Sequence, residues 1–176
     1  MIFLKFFSYI VSLPARFLGI KIGKEVILAP GYPIFGVSYK NVWLRDKVII
    51  GRNSFIQTFE KGKIIVGEGT NVGKDVTISS NASIKIGKNC LLGYRVSILD
   101  HDHDVKYSGK SLVANGLTKG KKIIIEEGCF IGAQSFVLKG VRLGKNCVVG
   151  ANSVVTKSYP TKSIIAGNPA KKIGLN

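Results

Sequence analysis

An aliphatic residue recurs at every sixth position through most of this chain. Val66, Val72 and Ile78 set the spacing. After a slip of two residues it resumes at Ile86, Leu92 and Ile98, and it returns at Ile125, Ile131, Val137, Leu143, Val149 and Val155. The next residue is usually glycine, as at Gly67, Gly73, Gly87, Gly93, Gly132, Gly144 and Gly150. The residue four further on is usually small: Thr70, Val76, Ala82, Cys90, Val96, Cys129, Ser135, Cys147, Ser153. Six is a multiple of the two-residue strand period and does not fit a helix, so the hexads are short strands whose aliphatic and small residues share one side. Three hexads close a triangular coil that buries its apolar side only when the next coil stacks on it. The spacing predicts an all-β parallel solenoid with coils at 66–83, 84–103, 125–142 and 143–160. Two looser coils over 20–65 are signalled by Ile22-Gly23 and Ile50-Gly51.

The 176 residues suffice for one domain. The formal charge of +16 invites a nucleic-acid reading, but the lysines sit singly in glycine-flanked turns and are not interleaved with aromatics. A phosphate-bearing ligand or an anionic membrane surface accounts for the charge equally well, and no nucleic-acid partner is expected. Residues 1–19, MIFLKFFSYIVSLPARFLG, form a separate apolar segment. Its charge-free run is too short for a membrane span. A helix packed on the domain or lying in a membrane interface is expected. The 3 cysteines have no metal-finger spacing. Cys90, Cys129 and Cys147 all fall in the small inward slot, which argues against a thiol nucleophile and fits a reducing cytoplasm.

After Ile98 the next aliphatic start is Ile125, so residues 104–124 read as a long insertion, a kind of segment that is usually functional. It leaves the solenoid just after Asp100-His101-Asp102-His103, which holds the only 2 histidines in the chain. Strict register would turn Asp102 inward, which a lone charge does not tolerate, so the strand must depart from the pattern there. His101 takes an outward place, and Asn81 holds the same place one coil earlier.

The hexads, the DHDH, the insertion and the ending VVGANSVVTKSYPTKSIIAGNPAKKIG resemble the hexapeptide-repeat acyltransferases over about residues 45–176. Within these the chain is most similar to the sugar O-acetyltransferases of the galactoside, maltose and capsule-polysaccharide type. The resemblance implies a left-handed β-helix, although the general crossover rule favours the right hand. It also implies a homotrimer with active sites between subunits, acetyl-CoA as donor, no metal, and no covalent acyl-enzyme. The family's catalytic histidine matches His101, with His103 as the alternative base. A neutral imidazole suits removal of a hydroxyl proton. Asp100, Asp102 or a main-chain carbonyl could orient it.

For the donor, the resemblance assigns Gly132-Ala133 and Gly150-Ala151 to the pantetheine groove. Thr156-Lys157 are assigned to the nucleotide phosphates, and Lys171 and Lys172 to the adenosine end. Asn81 and Asp100 are the acceptor-side candidates, with Tyr94 and Arg95 behind them. The apolar start departs from the soluble sugar acetyltransferases and points to surface-polysaccharide precursors. It also points to a cytoplasmic protein peripheral to the inner membrane through residues 1–19. N-acetyl transfer to an amino sugar is the alternative. A zinc enzyme of the carbonic-anhydrase kind would need three histidines on separate coils, and a non-catalytic solenoid would show flat threonine rows. Neither feature is present.

Overall fold

The computed structural model describes residues 13, 15–17, 19–29, 41–59, 61–106, 111 and 115–176. Its strands are two to six residues long and stack into the three faces of a prism. Face 1 holds β1 (Lys21–Ile22), β3 (Val42–Leu44), β6 (Ile64–Val66), β9 (Ile84–Ile86), β12 (Ile123–Ile125) and β15 (Arg142–Leu143). Face 2 holds β2 (Ile27–Leu28), β4 (Ile49–Ile50), β7 (Asn71–Val72), β10 (Leu91–Leu92), β13 (Phe130–Ile131) and β16 (Val148–Val149). It ends in β18 (Ser163–Gly167) and β19 (Ala170–Leu175). Face 3 holds β5 (Phe55–Thr58), β8 (Thr77–Ser80), β11 (Ser97–Leu99), β14 (Phe136–Val137) and β17 (Val154–Val155).

This is the all-β parallel solenoid that the hexads predict. Every pairing is parallel except β18 with β19, which form a terminal hairpin. Each hexad aliphatic residue is at most 1% exposed. Together they fill one continuous core along the prism axis.

The corners explain the glycine. A Cβ on Gly67 would stand 2.4 Å from the carbonyl carbon of Gly87, and one on Gly144 would stand 2.4 Å from the Thr161 nitrogen. The next coil's backbone therefore occupies the space a side chain would need. Each corner between faces 2 and 3 turns on a residue in the left-handed region, Asn53, Asp75, Arg95, Gln134 and Asn152, with φ between 57° and 61°. Asparagine and aspartate adopt that region most readily after glycine.

The small slot is more than a compact apolar position. Thr70 Oγ1 donates to the Gly87 carbonyl at 2.8 Å, Ser54 Oγ to Gly73 at 2.8 Å, and Ser135 Oγ to Gly150 at 2.9 Å. The cysteines repeat this geometry: Cys129 Sγ meets the Gly144 carbonyl at 3.2 Å and Cys147 Sγ meets that of Pro160 at 3.1 Å. Hydroxyls and thiols thus satisfy corner carbonyls that the strands leave unpaired.

Of the apolar segment 1–19, only residues 13, 15–17 and 19 are described. Leu13 and 15–17 are helical and Ala15 is buried. Gly19, at φ 94°, donates to the Arg16 carbonyl, and Ile20 donates to that of Ala15, the crossed pair that terminates a helix. The rest of the expected helix lies outside the described residues. No helix among the described residues is long and apolar enough to cross a membrane.

Gly67→Ala should lower the free energy of unfolding by about 2–3 kcal/mol. Gly116→Ala, where nothing lies within 4 Å and only the φ of 73° opposes a side chain, should cost about 1 kcal/mol. Urea midpoints of the two variants test this order.

Candidate active site

Past Leu99 the chain leaves the hexad register, and the residue that turns inward is Asp100, not Asp102. Asp100 is 0% exposed. Its Oδ2 accepts from Ser80 Oγ at 2.7 Å and the Ala82 amide at 3.0 Å, and its Oδ1 from the Asn81 amide at 2.7 Å. His101 Nδ1 completes the set, 3.1 Å from Oδ1. A lone buried carboxylate is costly, but one holding four donors is fully satisfied. The donors come from residues 80–82, where the preceding coil turns out of β8 and its amides lose their ladder. The assignment of Asp100 to acceptor binding is therefore corrected: with no exposed surface it reaches no ligand, and it orients the imidazole instead.

A carboxylate accepting from Nδ1–H leaves the neutral ring with its lone pair on Nε2. Nε2 has no hydrogen-bond partner among the described residues. The ring is further fixed by Phe59, whose edge-to-face contact has centroids 5.2 Å apart and planes at 77°. The side chain is 9% exposed, so the imidazole is held on two sides and opens to solvent at its rim. The sequence carries no signal for Phe59, because its place relative to the DHDH depends on how three coils align.

The insertion is anchored at its base. Lys121 N donates to the Asp100 carbonyl at 2.7 Å, Thr118 N to that of Asp102 at 2.8 Å, and Asp104 N to that of Gly116 at 3.0 Å. Asp102 stands outside, ion-paired with Lys139. The chain is back in the face 1 ladder by Ile123, two residues before Ile125, where the hexads are expected to resume after an insertion of 104–124. His103 lies exposed on this ribbon, bridged through its backbone to Leu117. Asn81 does stand beside His101, but its side-chain amide donates to the Thr118 carbonyl at 3.2 Å and so braces the ribbon.

The residues assigned to the donor fall on two different corners. Thr156 and Lys157 follow β17 at the corner between faces 3 and 1, which is also the corner of His101. They lie two strands further along, about 10 Å. Lys157 Nζ sits 5.9 Å from the Tyr159 ring. Gly132, Ala133, Gly150 and Ala151 line the corner between faces 2 and 3. There a Cβ on Gly132 would stand 2.5 Å from the Ala151 nitrogen. The exposed Ala151 amide has no acceptor among the described residues. Lys171 and Lys172 extend that same corner, opposite Ala166 and Ile165 in the hairpin. One chain alone holds the imidazole and the small-residue cradle apart by the width of face 3. Tyr94 and Arg95 also sit at the cradle corner, away from His101.

The cysteines are buried. Cys129 is pushed well above the ordinary thiol range, first by its pairing with Cys90 and then by burial. Burial likewise raises Cys147. Neither offers a thiolate. Among the described residues no three His, Cys, Asp or Glu side chains converge as metal ligands.

The family described as hexapeptide repeat of succinyl-transferase matches residues 83–98 and 122–157. A galactoside O-acetyltransferase of Lactococcus lactis is 35% identical over 125 residues, covering 68% of this chain and 59% of the relative. The putative lipopolysaccharide biosynthesis O-acetyl transferase WbbJ of Escherichia coli is 34% identical over 124 residues, covering 67% of this chain and 63% of that protein. The chain thus spans about 60% of the length of these relatives. The crystal structure of the hexapeptide-repeat acetyltransferase VCA0836 of Vibrio cholerae with acetyl-CoA superposes with a TM-score of 0.66. Identity there is 26%, over 74% of this chain and 68% of that one.

Asp100→Ala strands the Ser80, Asn81 and Ala82 donors and should cost about 3 kcal/mol in urea unfolding. The three thiols should resist a disulfide reagent in the native protein and all react once it is unfolded.

Proposed function

Because the chain belongs to the hexapeptide-repeat acyltransferase family, with its left-handed parallel β-helix, we propose that it moves an acetyl group from acetyl-CoA to a hydroxyl of a sugar or surface-polysaccharide precursor. The observation that carries the proposal is His101, with Nδ1 held by a fully buried carboxylate and Nε2 without a partner at the rim of the prism.

A sugar hydroxyl is far too weak an acid to ionise near neutral pH, so its attack on an acyl group needs the proton removed as the bond forms. Nε2 of His101 takes that proton. Asp100 keeps the lone pair on Nε2 beforehand and stabilises the imidazolium afterwards, as the carboxylate of a hydrolase triad does. His103, exposed and without a positioning group, is the weaker candidate. A backbone N–H at the base of the insertion serves the developing oxyanion. Bound acetyl-CoA supplies a thioester carbonyl with a good leaving group, so no covalent acyl-enzyme is needed.

The corner of Gly132, Ala133, Gly150 and Ala151 suits the pantetheine arm. Its side chains are small enough for an extended chain to reach main chain, and the Ala151 amide is free to donate. Lys171 and Lys172 on the hairpin, and Lys157 with Thr156 on the other corner, suit phosphate through charge-assisted contacts.

The separation of base and cradle supports the homotrimer: the cradle corner of one copy completes the site at the His101 corner of the next. Exposed Leu91, Phe130 and Phe136, at 46%, 39% and 41%, flank that cradle. Such a patch is what a neighbouring subunit covers. Phe17 is 93% exposed beside the first coil, which supports peripheral contact of residues 1–19 with the cytoplasmic membrane surface.

His101→Ala should lower thiol release from acetyl-CoA, with a sugar acceptor, by about 10³-fold. CoA should still raise the melting temperature of the variant, and its oligomeric mass should not change. Turnover within a few-fold of the parent enzyme would reject His101 as the base.

A further inference from the structure

Face 1 differs from the other two. Through the strand registers its outward column runs Lys21, Trp43, Ile65, Lys85, Ile124, Arg142. Beside it, on the edge nearest the His101 corner, stand Lys63 and Lys122, each just ahead of its strand. They share a column two strands apart, about 10 Å. The carboxylates on this side are each engaged: Glu126 with Arg142 at the end of the column, Glu127 with Lys145, Glu68 with Lys88, and Asp46 with the Lys24 amide. Lys21, Lys63, Lys85 and Lys122 have no acidic partner among the described residues. The Trp43 ring has Lys63 Nζ 4.1 Å and Lys21 Nζ 4.9 Å from its centroid. Between these cations the surface sinks into a trough of about 810 Å³, whose lining includes Ile65, Lys85, Lys122 and Ile124 and, on its far side, the carboxylates of Asp46, Glu68, Glu126 and Glu127. Through Arg45 and Asp46 it runs on into a smaller depression at Lys21 and Trp43.

We propose that face 1 is a binding surface for an acidic glycan chain, a polymer whose sugar units carry carboxylates, and that it delivers such a chain to the adjoining His101 corner. The role in delivery rests on the acetyl-transfer reading; the binding does not. The chemistry fits in three respects. Unpaired lysines spaced along a column match charges repeating along a polymer. Ile65 and Ile124, between the lysines, offer apolar ground for the flat faces of sugar rings. The concave trough suits a chain, whereas a lipid bilayer is planar and would touch only its rims. A subunit interface is disfavoured by the density of unpaired charge. A single nucleic-acid strand finds no free aromatic face to stack on, because lysines flank the one indole.

The test uses the full chain without acetyl-CoA. It is titrated at low salt with polygalacturonate, with neutral dextran, and with phosphatidylglycerol vesicles. The parent protein should bind polygalacturonate, ignore dextran, and lose affinity as salt is added. The double variant Lys85→Glu, Lys122→Glu should bind polygalacturonate at least about tenfold more weakly. A melting temperature within a few degrees of the parent protein's would show that it is folded. Three results overturn the proposal: no polygalacturonate binding by the parent protein, unchanged binding by the double variant, or vesicle binding lost in the variant while glycan binding persists. The last would make face 1 a lipid surface. Because no acetyl donor is present, failure here is separate from failure of the His101→Ala assay.

Discussion

The closeness of successive coils governs everything else in this molecule. At Gly67 and Gly144 a Cβ would stand only 2.4 Å from backbone of the next coil, so the coils cannot shift against one another or admit a side chain there. Every hexad position is thereby stacked over its equivalents, and sequence becomes columns. The aliphatic column is the core, the small column places hydroxyls and thiols on several corner carbonyls, and the outward columns form the faces. An insertion is tolerated only where the chain can leave from a corner, which is where the one between β11 and β12 departs.

At that departure the solenoid exchanges its usual device for another. At several other corners a serine, threonine or cysteine closes the turn. Here a carboxylate does so, holding two amides and a hydroxyl of the coil before it. The same carboxylate faces Nδ1 of the neighbouring imidazole at 3.1 Å. The donors that must be satisfied for folding are the ones that leave Asp100 with a single oxygen direction for His101. The Asp102–Lys139 pair adds a tie to the next coil, and an ion pair this exposed contributes little to stability.

Much of this was legible in the sequence. The six-residue period located the aliphatic core and the small slot, and the departure near Asp102 followed from the cost of burying its charge. The exchange of roles between Asp100 and Asp102 was not legible, since a one-residue change of inward direction at a corner is set by amides of the preceding coil, which the period does not encode. Phe59 escaped notice for a related reason: its ring meets His101 across an intervening coil. The thiols look like compact hydrophobes in the sequence, and only the carbonyls facing them reveal a donor role. The lysines of face 1 read as scattered because they are far apart along the chain. Register brings Lys63 and Lys122 into one column from 59 positions apart (122 − 63).

A stack of parallel strands has a hazard at its end: an open row of amides and carbonyls is a template on which a second molecule could continue the ladder, and the result would be a fibre. The hairpin of β18 and β19 interrupts that template. Reversing the strand direction presents the wrong pattern of donors and acceptors to an incoming parallel coil. Lys171 and Lys172 place charge along it, and the Tyr159 hydroxyl, bonded to the Ala170 carbonyl, ties it to the prism. On face 2 the same few residues that carry the basic tail thus also oppose continuation of the parallel ladder by another molecule.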